Sequence, residues 1–431
     1  MAKVEEPAAP SEERQTEKAA AQADLAVAPS LVANSLGEYT RAYLARVRAG
    51  DSGVLPVVAG LIIVSVLFQT LNSHFLTAIN LVNLLIQGAA YVLLAMAEIF
   101  ALLLGEIDLS IGFLSGMGGV IVAELVKQSY GWPWWAAVIV ALLACAAIGA
   151  LQGLIITRLR LPSFIVTLAG LLGLQGLMLF ILGKGGSVPI NQNIINDVAS
   201  GNLTPAAGWI VMLAVVGLFG ARMWLRDARR RNSGLVSPPA SLTLVKILAV
   251  LVAGIAVVVV CNTNRGTLVA IRGVPWVVLL VLLVLAIWTF VLGRTRFGRY
   301  VYAIGGNAEA ARRAGINLWA IRTVAFSFAG LTAGVAGIVY ASRLRSVSTA
   351  IDGGQLVLYA VAAAVIGGTS LFGGRGKALH AVLGGLVIAA IDNGMALKGY
   401  SAAAKYMVTA LVLLAAVAVD AIARRSRTAG T

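Results

Sequence analysis

Charged residues, cysteines and histidines are scarce in this sequence. Only 12% of its 431 residues are charged, whereas 59% are hydrophobic, and there are two cysteines and two histidines. No Cys-x-x-Cys pair and no His-rich stretch occurs, so neither a disulfide framework nor a metal site is predicted. A water-soluble chain needs a polar surface, and this composition cannot supply one. The low charge therefore indicates a protein that resides in a membrane.

Sequence motifs for phosphate binding and hydrolysis are also missing. No Gly-x-x-x-x-Gly-Lys-Ser/Thr loop occurs. The nearest candidate, Gly367–Lys377, has Leu371 in place of the first glycine and Ala378 in place of the Mg²⁺-binding hydroxyl residue. There is no His-Glu-x-x-His and no Gly-x-Ser-x-Gly. We therefore predict that the chain is not an enzyme and has no cofactor, and that any ATPase that powers it is a separate polypeptide.

Long apolar runs recur from Val54 almost to the C-terminus. A bilayer core needs about 20 apolar residues for each helical crossing. The runs are continuous rather than alternating, which favours helices over the strands of a membrane barrel. The sequence predicts an all-α membrane protein with about twelve transmembrane helices. The apolar windows lie near residues 54–72, 83–104, 107–126, 134–157, 163–182, 208–221, 241–261, 276–293, 319–341, 355–371, 378–395 and 405–422.

Positive charge concentrates in alternate connections between these windows. The sequence has 33 Lys and Arg against 18 Asp and Glu, a net charge of +15. Loops retained in the cytoplasm accumulate Lys and Arg, and with twelve spans and a cytoplasmic N-terminus the most basic connections all lie inside. This explains the charge without a nucleic-acid partner and predicts that both termini are cytoplasmic. Four arginines fall on predicted outer loops instead: Arg265, Arg272, Arg343 and Arg345.

Composition divides the chain into three parts. Residues 1–50 have no sustained apolar run and are predicted to form a disordered cytoplasmic tail. Residues 51–425 form the transmembrane domain, and residues 426–431 form a second cytoplasmic tail. Within the domain, residues 183–207 are almost uncharged and are predicted to be an extracytoplasmic loop, whereas residues 294–318 are basic and are predicted to be cytoplasmic.

Two carboxylates and a hydroxyl interrupt the apolar sequence at Gly105–Gly112, which reads GEIDLSIG. Each charge costs about 2.5–3.5 kcal/mol near the bilayer centre by insertion scales. The favoured interpretation is structural: the glycines break the helix, and Asp108 or Ser110 caps the next helix by accepting backbone N–H groups. The open alternative is that Glu106, Asp108, Ser110 and Gly112 contact the transported solute.

The connection Arg294–Asn317 carries the signals of a short surface helix. Gly305 and Gly306 precede Asn307, a favourable N-cap, and an alanine-rich turn then ends at Gly315. Its arginine pair lies near the helix C-terminus, where the helix dipole favours cations. Small residues would let a partner protein approach closely. A docking helix and a simple retained basic loop are equally compatible with these features.

Glycines cluster again at Gly367–Gly376 and recur at Gly384, Gly385 and Gly394, the last one following Asp392 and Asn393. Small residues let membrane helices approach closely, so close helix crossings are the favoured interpretation. A second role is compatible with the first, because irregular backbone at membrane depth can line a water-filled path.

Five segments carry a family resemblance: 106–112 (EIDLSIG), 161–170 (LPSFIVTLAG), 302–312 (YAIGGNAEAAR), 365–371 (VIGGTSL) and 391–395 (IDNGM). Together and in this order they resemble the permeases of monosaccharide ABC importers, the ribose and xylose type within the broader branched-chain amino acid group. The extra segment from about residue 205 to 262 makes the xylose-type branch the most similar. The N-terminal tail departs from the family pattern because it is longer.

The resemblance implies the ABC importer permease fold in a bacterial inner membrane. It also implies three protein partners: a second copy of the permease, an ATP-binding cassette subunit that holds the ATP, and an extracytoplasmic sugar-binding protein. Residues expected to couple to the ATPase are Gly306, Asn307, Glu309, Ala310, Ala311, Arg312, Gly315, Ile316 and Asn317. Residues expected at the translocation path or at a helix break are Glu106, Asp108, Ser110, Gly112, Thr167 and Asn393.

Two other functions remain open at this point. The chief alternative is a stand-alone secondary sugar transporter, although the buried acids that could relay protons are few. A membrane scaffold or assembly protein is a weaker alternative, suggested by the basic loops and the long tail. The sequence does not identify the sugar.

Overall fold

The computed structural model describes Gly37, Arg41 and residues 55–183, 186–234, 238–350 and 353–428. Apart from Gly37 and Arg41, the tail predicted for residues 1–50 lies outside the described residues, as do residues 429–431.

The described part of the chain is almost entirely helical, with two three-residue strands. In chain order the elements are α1 (Leu55–Leu71), α2 (Ala78–Leu103), α3 (Ile111–Val126), α4 (Trp134–Arg158), α5 (Ser163–Leu182), β1 (Ser187–Pro189), α6 (Asn193–Ser200), α7 (Pro205–Asn232), α8 (Ala240–Asn262), α9 (Trp276–Arg294), α10 (Arg296–Gly306), α11 (Ala308–Arg313), α12 (Leu318–Leu344), β2 (Ser346–Ser348), α13 (Gly353–Ile366), α14 (Ala378–Leu397) and α15 (Ala402–Thr428).

Apolar helices occupy all twelve windows that the sequence predicted. Eight are long and apolar enough to cross a membrane, namely α2, α4, α5, α7, α8, α9, α12 and α14. Four shorter apolar helices fill the other windows: α1, α3, α13 and the first part of α15, Ala402–Ala415. By the length and composition of these helices, the chain is a multi-pass membrane protein.

The chain separates into two compact units. The smaller contains residues 210–256, which form most of α7 and α8. Inside it, the Thr243 hydroxyl on α8 donates to the Asp227 carboxylate on α7 over 2.9 Å. Gly254 packs beside Met212, which brings the two helices together at their other ends. Most of the extra segment noted in the sequence is therefore a helical hairpin.

The larger unit, residues 53–209 and 257–431, is built around α2. Every residue of α2 from Gly88 to Leu103 is buried. Helices α12, α13 and α14 pack against α2, and α12 also packs against α3 and α4. A helix that is apolar and buried on all sides belongs at the centre of a bundle. The position of α2 matters below because each of its ends meets a different polar cluster.

Glycines set the spacing of the bundle. Gly149 on α4 lies against the backbone of Phe326 and Gly330 on α12, where a Cβ atom would overlap main-chain atoms. Gly112 on α3 lies in the same way against the Gly353 carbonyl of α13. Contacts this close are how membrane helices gain van der Waals energy without a hydrophobic driving force.

The predicted loop 183–207 is folded in the structure. It contains β1, which pairs antiparallel with β2 so that Val188 faces Val347, and the short helix α6. The Ser342 hydroxyl at the end of α12 donates to the Asn196 carbonyl over 3.0 Å and accepts from the Ala199 N–H over 3.0 Å. No local signal in the sequence indicated this structure, because the segment is held by contacts with residues far away in the sequence.

One of the four arginines on predicted outer loops has a structural role. The Arg265 guanidinium donates to the Asn202 side chain over 3.0 Å and to the Gly273 carbonyl over 3.2 Å, and it also contacts the Cys261 carbonyl. It therefore joins the segment after α6 to the connection between α8 and α9. An arginine used in this way departs from the charge rule for loops because it is needed for backbone hydrogen bonds.

Candidate functional site

The chain leaves the α-helical path between α2 and α3. Helix α2 ends at Leu103, Gly105 adopts a positive φ of 77°, and α3 begins at Ile111. A left-handed backbone of this kind is easily reached only by glycine. Gly105 also lies against the Phe372 carbonyl, so a side chain there would meet backbone atoms. The break therefore depends on this glycine for both its conformation and its packing.

Buried polar groups fill the break. The Asp108 carboxylate accepts from the Ser110 N–H over 2.9 Å and from the Ser110 hydroxyl over 2.6 Å. The Asp108 N–H donates to the Glu98 carboxylate on α2 over 3.2 Å, and the Gln152 amide on α4 donates to the Ser110 hydroxyl over 3.0 Å. Ser110 occupies the N-cap position but makes no side-chain cap bond. Asp108, not Ser110, thus binds the backbone N–H at the start of α3.

Glu106 forms an ion pair with Arg322 on α12. The Arg322 Nε atom lies 3.0 Å from the Glu106 carboxylate, and the two side chains are 28% and 10% exposed. Sequence reasoning missed Arg322, although a signal was present. An arginine inside an otherwise apolar helix needs a partner, and Glu106 was one of few buried acids available.

Five of the six predicted path residues gather at this break, and one does not. The Thr167 hydroxyl on α5 donates to the Ile107 carbonyl over 3.3 Å, which adds α5 to the cluster formed by Glu106, Asp108, Ser110 and Gly112. Asn393 lies elsewhere: it accepts from Asn80 in the first turn of α2 over 2.8 Å. Helix α2 has 26 residues and is therefore about 39 Å long. The residues expected at the translocation path or at a helix break are therefore divided between its two ends.

A second polar cluster surrounds Asp392, beside Asn393. On α2, Gln87 and Tyr91 donate to one carboxylate oxygen of Asp392 over 2.5 Å and 3.1 Å. Lys405 on α15 lies 3.0 Å from the other oxygen. Sequence reasoning missed Tyr91 and Lys405. The cluster joins α2, α14 and α15, with every polar group directed at one carboxylate.

The predicted surface helix is present as α11. The Asn307 side chain accepts from the Ala310 N–H over 2.9 Å and caps the helix start, and Gly315 follows the helix end with a φ of 81°. Asn317 caps α12 in the same way by accepting from the Ala320 N–H over 3.1 Å. The two residues before Asn307 are not a loop, because α10 continues to Gly306.

Seven of the nine residues expected to couple to an ATPase are exposed, namely Gly306, Asn307, Glu309, Ala310, Arg312, Gly315 and Asn317. Ala311 is 4% exposed and Ile316 is half-buried, so these two anchor the segment to the bundle. Glu309 binds Arg312 over 2.8 Å and Arg313 over 3.1 Å. Hydrogen bonds from these arginines hold the pKa of Glu309 below its usual value. The exposed surface of α11 therefore carries one carboxylate and two guanidinium groups, which leaves it positively charged.

Helix α10 is held against the end of α2 by what we call the glycine junction: Gly105, Gly305, Gly373 and Gly374. Gly305 lies directly against the Leu103 carbonyl, which accepts a hydrogen bond from the Gly374 N–H over 2.9 Å. The Tyr302 hydroxyl donates to the Gly376 carbonyl over 2.8 Å. The glycines that suggested close helix crossings thus bring two connections and a helix terminus into backbone contact.

Comparison with known proteins identifies relatives over most of the chain. The model of the family described as "Branched-chain amino acid transport system / permease component" matches residues 80–417. The xylose transport system permease protein of Escherichia coli is 35% identical over 374 residues, which are 86% of this chain and 92% of the relative. The Escherichia coli ribose import permease protein is 31% identical (84% and 92%), and the D-allose transport system permease protein is 30% identical (83% and 88%). No solved structure matches the chain.

Proposed function

Because this chain belongs to the branched-chain amino acid transport system permease family, we propose that it is the membrane permease of an ATP-driven sugar importer. Its relatives are named for the transport of xylose, ribose and allose. Xylose is the first cargo to test, since the xylose permease is 35% identical and the ribose permease 31%. The importer belongs in the inner membrane of a bacterium.

The single observation that carries this proposal is the form of α11. It is a short helix capped at Asn307, anchored at Ala311 and exposed on its outer face. Gly306 and Ala310 leave room for the backbone of a partner to approach closely. A separate ATP-binding subunit would dock on this surface, and its closure on ATP would move α11 and the helices attached to it.

Hydrogen bonds between connections support twelve crossings with both termini in the cytoplasm. The Gly374 N–H donates to Leu103 O, which joins two connections assigned inside. The Ile190 N–H donates to Arg345 O, and the Leu203 N–H donates to Val274 O, which join connections assigned outside. Since helices that cross a membrane alternate in direction, each of these pairs agrees with an even number of crossings between its members.

Besides the ATP-binding subunit, the importer requires two further partners under this proposal. An extracytoplasmic protein would deliver the sugar, and a second copy of this chain would complete the path. ATP-driven closure would then convert one access state into the other by rigid-body movement of helices, as is general for alternating access. ATP can shift the equilibrium only through contacts that differ between the two states, and docking on α11 supplies such a contact.

Reconstitution tests the proposal. The chain is inserted into liposomes with its candidate ATP-binding subunit and sugar-binding protein, and uptake of labelled xylose, ribose, galactose and arabinose is measured with and without ATP. We expect uptake that requires hydrolysable ATP and both partners. Uptake that continues in the absence of ATP hydrolysis would refute an ATP-driven importer.

Variants of α11 test its role directly. Glu309→Lys and Ala310→Trp should insert normally but separate ATP hydrolysis from sugar uptake. Ser233→Trp is the matched control, because Ser233 is a small exposed residue on the connection between α7 and α8. If uptake per ATP hydrolysed is the same in all three variants as in wild type, the ATPase does not dock on α11.

A stand-alone secondary sugar transporter is the second candidate function. Glu98 and Asp108 are fully buried, and among the described residues one carboxylate oxygen of each has no hydrogen-bond partner. Buried ionisable groups of this kind are common in proton pathways. Under this alternative, liposomes that contain only this chain would accumulate sugar when a proton gradient is imposed. Under the proposed function they would not.

A further inference from the structure

The helices on both sides of α11 contact the same end of α2. Before α11, Gly305 of α10 lies against the carbonyl of Leu103, the last residue of α2. After α11, Arg322 of α12 lies 3.0 Å from the carboxylate of Glu106, which lies in the helix break three residues after Leu103. The docking helix is therefore the tip of a hairpin whose two arms close on the C-terminal end of α2.

The two arms differ in the force that they can transmit. The contact of Gly305 with Leu103 is van der Waals packing, which resists compression but not separation. The hydrogen bond to the Leu103 carbonyl comes from Gly374, outside the hairpin. The Glu106–Arg322 ion pair is attractive, and both of its side chains are mostly buried, which limits screening by water. Of these contacts, the ion pair is the one through which the hairpin can pull α2.

Helix α2 can carry such a displacement to its other end. It continues without interruption from Ala78 to Leu103, and every residue from Gly88 to Leu103 is buried. Near its start, Asn80 binds Asn393, and Gln87 and Tyr91 bind Asp392. A shift of α2 along its axis would change both polar clusters together, although they are separated by most of the length of the helix.

We propose that the Glu106–Arg322 ion pair is the latch through which movement of the docking helix is transmitted to α2. This makes Glu106 and Arg322 positioning residues for transport, with no need for either to contact the sugar. The proposal rests on the proposed function, because it assumes that an ATPase moves α11. It gives Glu106 a role in addition to the place at the translocation path or at a helix break that was expected for it.

Neutral substitutions test the latch. Glu106→Gln keeps the shape of the side chain, and Arg322→Gln removes the opposite charge. Arg322→Lys keeps the charge and serves as the conservative variant. The matched control is Arg158→Gln: Arg158 stacks on Trp319 at the start of α12, 4.7 Å from the ring centre, and so contacts the same helix without joining it to α2. Each variant is reconstituted with both partners, and uptake per ATP hydrolysed is measured.

We expect Glu106→Gln and Arg322→Gln each to lower uptake per ATP at least about fivefold, the low end of typical coupling between sites. ATP hydrolysis should continue at a rate close to that of wild type. The double variant should be no worse than the more severe single variant, because both changes break one interaction. Arg322→Lys should recover part of the loss, and Arg158→Gln should match wild type.

Three results would overturn the latch. One is wild-type uptake per ATP in both neutral variants, and another is additive losses in the double variant. The third is an equal loss in Arg158→Gln, which would point to general disturbance of α12. If Arg322→Gln does not assemble, Glu106→Gln with Arg322→Lys decides the question by the same measurement. Wild-type complex that takes up no sugar with ATP would instead refute the proposed function, so the two failures are distinguishable.

Discussion

Gly305 offers a direct test of the glycine junction. A Cβ atom at this position would overlap the Leu103 carbonyl oxygen and lie 2.5 Å from the Gly374 nitrogen. Both obstacles are backbone atoms, which cannot swing away as a side chain can. Gly305 is not one of the glycines with a positive φ. Its role is therefore close approach rather than an unusual backbone conformation. Substitution by alanine must therefore push α10 away from α2.

The size of the effect follows from two opposing contributions. Overpacking of a tight contact costs about 1–3 kcal/mol, and overlap with backbone on two sides places Gly305→Ala at the upper end. Alanine recovers up to about 1 kcal/mol through its higher helix propensity, and less in a last turn. The net destabilisation is thus about 2 kcal/mol. Gly306→Ala is the matched control, because no atom lies within 4 Å of its added Cβ.

The assay is unfolding of the purified permease in detergent by heat or by denaturant, and the measured quantity is the midpoint of the unfolding transition. We expect Gly305→Ala to unfold at a lower midpoint than wild type, and Gly306→Ala to equal or exceed wild type. In the reconstituted importer, Gly305→Ala should also lower uptake per ATP. Equal midpoints for the two alanine variants would show that α10 is not packed on the end of α2 as described.

Three further predictions concern polar groups. Asp108→Asn should keep transport close to wild type, because the amide oxygen of asparagine can still accept the hydrogen bonds that Asp108 accepts. Asp108→Ala should lose about 1–3 kcal/mol of stability and most uptake. Lost transport in a correctly inserted Asp108→Asn protein would indicate a role for the charge itself. Asn307→Ala should destabilise α11 by about 1 kcal/mol through loss of its N-cap, and it should reduce uptake per ATP. Greater protease sensitivity of the connection between α10 and α12 would confirm the loss of stability. Lys405→Met should destabilise the permease more than the double variant Lys405→Met/Asp392→Asn does. Only the single variant leaves the Asp392 carboxylate buried without its cation. A lower unfolding midpoint for the double variant than for Lys405→Met would contradict this account.

Much of the helical architecture was predictable because membrane helices obey local rules. A crossing needs a run of apolar residues, and each of the twelve predicted windows contains an apolar helix. The start of α11 was equally local, since the Asn307 side chain binds a backbone N–H only three residues away. The break at Gly105 follows from a glycine next to charged residues. In each case the cause and its effect lie within a few residues of each other.

The composition of the polar clusters could not be predicted in this way. Glu106 and Arg322, Asn80 and Asn393, and Asp392 and Lys405 meet only because separate helices pack in one arrangement. The sequence grouped Asn393 with residues that lie at the opposite end of α2. Polarity marks a residue as requiring a partner, but it carries no information about which helix supplies that partner.

The amino-acid sequence by itself determined that this chain is a helical membrane protein, where its apolar helices lie and where a short capped helix projects between α10 and α12. Only the tertiary structure decided that segment 183–207 is folded, that Gly305 closes on the end of α2, and that Glu106 pairs with Arg322. The physical reason is the range of the interactions. Helix formation and capping are satisfied within a turn or two, whereas close packing and buried ion pairs join residues on separate helices, as Glu106 and Arg322 do.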